Sequence, residues 1–87
     1  MATYYIALQS QTHAFLLERR MKKLGIFCEI TYMPRPIMHD ICNMGVRFQE
    51  GELVKAIMAL RQSGIPGIRL FRENLAANGS TFTEERI

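Results

Sequence analysis

From Thr3 to Gln9 apolar and polar positions alternate, with Tyr4, Ile6 and Leu8 on one side and Tyr5 and Ala7 on the other, and β-forming residues dominate. This predicts a first strand. The period then changes: Ala14, Leu17, Met21 and Leu24 recur at helical spacing behind a Ser10 or Thr12 cap, and Arg19, Arg20, Lys22 and Lys23 crowd the C-terminal end, where cations suit the helix dipole. Gly25 stops that helix. Alternation resumes over 27–33, with Cys28, Ile30 and Tyr32 against Phe27, Glu29, Thr31 and Met33, until Pro34 and Pro36 close the run. A short third strand follows over 44–48. A second helix runs from about Glu50, acidic at its start and apolar at Leu53, Ala56, Ile57 and Leu60, and ends at Ser63-Gly64; residues 67–72 make a fourth strand.

The two halves repeat one plan, with Leu24-Gly25-Ile26 and Ser63-Gly64-Ile65 in equivalent places. The order is β-α-β-β-α-β. Right-handed crossovers then favour an α+β, ferredoxin-like sandwich, a four-stranded antiparallel sheet with both helices on one face. Tyr4, Ile6, Leu8, Ile30, Tyr32, Val46, Phe48, Ile68 and Leu70 are expected to meet Leu17, Met21, Leu24, Leu53, Ile57 and Leu60 in the core. Tyr5, Ala7, Glu29, Thr31, Arg47, Arg69 and Phe71 are expected on an open face. After Glu73 the periodicity fades, so residues 1–73 read as one domain and 74–87 as a polar C-terminal tail or a short appended helix.

Eighty-seven residues, 48% hydrophobic and 22% charged, describe an ordinary single globular unit, with neither a disordered composition nor a membrane-length apolar run. The net charge of +3 is mild, weaker than the dense basic patch of a dedicated nucleic-acid binder. Two cysteines, Cys28 and Cys42, are too few for a disulfide scaffold, and no export-signal pattern opens the chain, so a reducing cytoplasm is the expected location, with no membrane partner.

Cys42 is the strongest chemical candidate. It sits in a proline-stiffened basic loop beside Arg35, His39 and Arg47, and positive neighbours favour a thiolate. Asn43 and Gly45 permit a turn that aims backbone amides at the sulfur. Cys28, on the core side of its strand, reads as a structural thiol. His39, Asp40 and His13 with Cys42 fall short of a standard metal ligand set, and no cofactor is expected. No phosphate loop, nucleophile elbow or paired-carboxylate motif marks a stand-alone enzyme. An alternative reading is a small binding module whose open face, with Tyr5, Arg47, Arg69 and Phe71, takes single-stranded nucleic acid or a partner protein. Lacking an aromatic-glycine RNA-binding pattern on strand three, that face favours a homodimer or a protein partner over nucleic acid.

Three features in order carry a resemblance: a Tyr-Tyr-Ile strand followed by Ser10-Gln11-Thr12-His13-Ala14, Gly25-Ile26 before strand two, and Pro34-Arg35 followed by Cys42 and Val46-Arg47-Phe48. Over roughly residues 4–72 the chain resembles the small selenium/sulfur carrier protein-like domains. That resemblance implies a ferredoxin-like fold whose loop cysteine, Cys42, holds sulfur or selenium as a persulfide or selenosulfide, exchanged with donor and acceptor proteins. Here Met38-His39-Asp40-Ile41 precede the cysteine and Asn43 follows it.

Overall fold

The computed structural model describes residues 2–37 and 44–87. Strand β1 (Thr3–Ala7) leads into helix α1 (Gln11–Lys23), which returns through β2 (Cys28–Tyr32); after a 3-10 turn at Arg35–Ile37, β3 (Met44–Gln49) and a second 3-10 turn at Glu50–Glu52 lead into α2 (Leu53–Ser63), β4 (Arg69–Ala76) and β5 (Gly79–Glu85). The sheet has five antiparallel strands in the order β2-β3-β1-β4-β5. β1 and β2 are therefore parallel to each other with β3 between them, as are β3 and β4 with β1 between them.

Local chemistry sets the helix ends. The Ser10 hydroxyl accepts from the His13 backbone N–H at 3.2 Å and caps α1. At the other end Gly25 has φ +78°, a left-handed conformation that needs no Cβ, and the Gly25 and Ile26 N–H groups donate to the Lys22 and Met21 carbonyls. Ile26 is thereby turned into the core beside Met21, while Leu24, expected inside, is left 55% exposed at the cap. Arg20 reaches across to donate to the Gln62 and Ser63 carbonyls at the end of α2, satisfying acceptors that a helix terminus leaves open.

The main core lies between the sheet and the helices, with Ile6, Ala14, Leu17, Met21, Val46, Ala56 and Leu70 fully buried. Tyr4 and Phe48 stack within it, centroids 5.4 Å apart. Tyr32, also expected there, ends β2 and is exposed, because the core stops one residue pair short of the sheet's end.

Two expectations about the sheet are corrected. Four strands were expected and a fifth is present: β4 continues to Ala76, a two-residue turn reverses the chain, and β5 pairs along it from Ala76↔Gly79 to Leu70↔Glu85, where a tail or helix was expected. The second face is also covered in part, although Glu29 and Arg69 on it are exposed. Tyr5 and Phe71 join Met33 and Ile37 in a separate buried cluster, with Ala7 and Phe82 packed against it. Met33 and Ile37 come from the segment around the 3-10 turn, which folds over this face, and Phe82 comes from β5. Among the described residues no helix is long and apolar enough to cross a membrane.

Candidate functional site

One end of the sheet gathers the residues that bracket the candidate loop. β1 leaves it into the capped start of α1, β2 ends there at Tyr32, and β3 starts there, in register Tyr32↔Met44 and Thr31↔Gly45↔Ala7. The Gln11 amide donates to the Met44 sulfur at 3.3 Å, tying the first turn of α1 to the first residue of β3. On the other flank Ile37 is 5% exposed in the second cluster. Residues 38–43 join these two anchored points. Cys42 and Asn43, and with them His39 and Asp40, lie outside the described residues. His13, on the first turn of α1, has a buried Nδ1 without a hydrogen-bond partner.

Arg35 is exposed in the 3-10 turn that precedes the loop. Arg47, named from sequence as a second cationic neighbour of the thiol, pairs with Glu29, its cross-strand partner, while Cys42 lies outside the described residues. It stands three residues into β3, roughly 10 Å along the strand from Met44. Arg69 donates two hydrogen bonds to Glu84, at 3.0 and 2.7 Å, and its guanidinium lies 5.1 Å from the Phe71 ring centroid. Of the residues assigned to the open face, Tyr5 and Phe71 are 9% and 5% exposed, so neither presents a ring for base stacking. Both arginines already face carboxylates. The structure thus brings Tyr5, Arg69 and Phe71 together, with the two rings packed and the Arg69 guanidinium at the surface.

A family model described as "Putative Se/S carrier protein-like" matches residues 3–72, a span that includes both flanks of the loop and Cys42 itself. The chain belongs to this family. No curated protein and no solved structure matches it. Strand β5 and the outer half of β4 lie beyond the matched span, so the element that supplies Phe82 to the second cluster is an addition to the family portion.

For a Se/S carrier protein-like chain the state of each thiol matters. Cys28 is buried at the start of β2 with its sulfur 4.0 Å from the Glu18 carbonyl oxygen. Burial, reinforced by the Glu18 carboxylate, pushes its pKa up from the ordinary thiol value. Cys28 therefore stays a neutral core thiol, as its position on the core side of the strand predicts. A stability effect follows. Above an unfolded-chain pKa near ~8.5 the unfolded thiol ionises while the native one keeps its proton, so the native state binds more protons and stability falls as pH rises. Cys28→Ala cannot titrate; in urea unfolding its stability deficit relative to the parent is expected to narrow between about pH 7 and pH 10. A constant deficit across that range would show that the buried thiol is not the titrating group.

Sequence reasoning missed the Gln11–Met44 contact and the Met33, Ile37 and Phe82 contribution to the second face. Gln11 carried no signal, since a thioether partner leaves no pattern. The hairpin did carry one: Asn78-Gly79 is a turn dipeptide between two runs with strand character.

Proposed function

We propose that this protein is a sulfur or selenium carrier whose chalcogen-bearing atom is the Cys42 sulfur. What carries the reading is elimination within a family assignment. The chain has two cysteines; one of them, Cys28, is buried, protonated by its surroundings and closed to an incoming persulfide, which leaves Cys42. Cys42 is two residues before Met44, and Met44 contacts Gln11 on the capped first turn of α1. Met44 at the root of the loop thus stands beside a helix N-terminus, and in this reading that partial positive charge, with Arg35 and Asn43 as supports, favours the Cys42 thiolate. Arg47 is the further supporting cation of this reading, its guanidinium shared with Glu29.

Transfer balances without a redox partner. The Cys42 thiolate attacks the outer sulfur of a donor persulfide, a new S–S bond forms to Cys42, the donor's S–S bond breaks, and the donor leaves as a thiolate. An acceptor thiolate repeats the step on the Cys42 persulfide; a selenosulfide follows the same course. One thiol is enough. The reading includes its scaffold: β1-α1-β2 and β3-α2-β4 as the two halves of a ferredoxin-like unit, with β5 appended at the β4 edge, working in the cytoplasm between donor and acceptor proteins.

The test is intact-protein mass spectrometry after incubation with a cysteine desulfurase and cysteine. A mass gain of one sulfur atom is expected on the parent and on Cys28→Ala, and none on Cys42→Ser. Labelling that survives Cys42→Ser, or no labelling from either the desulfurase or inorganic polysulfide, rejects the assignment.

A further inference from the structure

Helix α1 has two faces, and only one is spent on the core. Ala14, Leu17 and Met21 are buried. On the opposite side Leu16, Arg19, Arg20 and Lys23 follow the i, i+3, i+4, i+7 spacing of a single solvent-facing stripe and line a shallow groove. Leu16 is 48% exposed at its N-terminal end, with Phe15 beside it at 52%. The charges on this helix divide clearly. Lys22 pairs with Glu18, the only acid on α1, at 2.9 Å, and Arg20 is engaged by the end of α2. Arg19 and Lys23 have no carboxylate within reach among the described residues. They stand one turn apart, their Cβ atoms about 6 Å from each other.

We propose that this stripe is the docking surface for an acidic face of a partner protein, carboxylates meeting Arg19 and Lys23 beside an apolar group that covers Leu16. Charge complementarity selects the occupant. Arg19, Lys23 and Arg20, whose partners are neutral carbonyls, neutralise three phosphates at most, a salt slope of about −2 for single-stranded nucleic acid, a small electrostatic contribution. The same cations suffice to steer and orient a protein encounter. Exposed Leu16 and Phe15 adjoining the charged row also suit a protein contact, which combines apolar burial with polar pairing. The partner's role as chalcogen donor rests on the carrier reading above; the surface itself does not.

The experiment uses the full chain and a cysteine desulfurase as the probe, with two double variants: Arg19→Gln/Lys23→Gln, which removes charge at exposed positions without disturbing the fold, and Arg19→Glu/Lys23→Glu, which reverses it. Direct affinity for the desulfurase, and the initial rate of sulfur loading from it, are each expected to fall about tenfold on reversal and by less on neutralisation. In the parent both fall as salt is raised from about 50 to 300 mM. Loading from inorganic polysulfide, which needs no docking, is expected to be unchanged. Affinity unaltered by either variant, no affinity in the parent, or an equal loss with polysulfide each overturns the proposal. Co-sedimentation with phosphatidylserine vesicles that reversal abolishes, desulfurase affinity being intact, overturns it by assigning the stripe to a lipid surface. Failure of the carrier reading is recognised separately: loading of Cys42 fails from both donors while reversal still weakens desulfurase binding.

Discussion

Phe71→Ala is expected to remove about 3–5 kcal/mol of stability, the cost of emptying a buried phenyl site that its neighbours only partly refill. For an 87-residue domain whose whole stability is of order ~4–13 kcal/mol, that is a large share. The site is built from both ends of the chain and its middle. Tyr5 on β1 is its cross-strand partner, Met33 and Ile37 fold over it from the turn before the loop, Phe82 meets Tyr5 edge-on at 5.8 Å and 73°, and Arg69 lies over the ring. Truncation leaves Tyr5 and Phe82 without their packing partner and removes the aromatic surface beneath the Arg69 guanidinium. Urea unfolding reads the effect, with Arg72→Ala, exposed on the same strand, as a control expected within about 0.5 kcal/mol. The measurement also distinguishes two uses of the ring. A solvent-facing ring kept for stacking bases would be lost from binding while leaving the midpoint nearly in place; a midpoint within about 1 kcal/mol of the parent would therefore contradict the second cluster.

The reason this cluster escaped a reading of the sequence is physical. Helices cover one face of the sheet, and alternation in β1 and β4 assigns Tyr5 and Phe71 to the other, which is correct as to side. Alternation does not say what lies above that side. Met33 is the last residue of an alternating run, Ile37 belongs to a proline-bound segment without periodicity, and Phe82 is the single apolar residue of β5, an edge strand that needs only one inward contact to hold its place. The inner strands and both helices were legible because each repeats a period over several residues. Leu24 and Tyr32 have the right phase for the core but sit at element ends, where the layer above has already run out.

Site chemistry was legible in part for a related reason. Residue type and spacing identify a basic loop with a thiol, but they do not give cross-strand register. Register makes Glu29 the neighbour of Arg47, and sets Glu84 two residue pairs along from Arg69, the cation it binds, so two charges that look available in sequence are neutralised in the fold. The same accounting applied to α1, where Arg20 and Lys22 are engaged, isolates Arg19 and Lys23.

Gly45→Ala is the second large effect expected, about 1–3 kcal/mol or more, from crowding at the root of the loop. A Cβ there would overlap the Ile6 carbonyl oxygen on β1 and come within 2.7 Å of the Met33 Cε. The Met33 side chain is flexible, though buried; the Ile6 carbonyl is fixed, since it is part of the central strand. The strain must therefore be relieved by moving the start of β3 away from β1, which pulls on the Ala7↔Gly45 pairing and on the Gln11–Met44 contact next to it. Met33→Ala in the same chain is expected to recover only the side-chain part, giving a double-mutant coupling smaller than the cost of Gly45→Ala alone. Gly51→Ala serves as the control: nothing lies within 4 Å of its Cβ position, so the substitution is expected to be neutral or to stabilise by up to about 1 kcal/mol through the unfolded chain. Amide exchange locates the damage, with protection lost first at residues 44–46 and retained in β4 and β5. Uniform loss across the sheet would mean that the strain spreads through the whole domain; loss confined to the loop root would identify Gly45 as the residue that lets β3 begin beside α1.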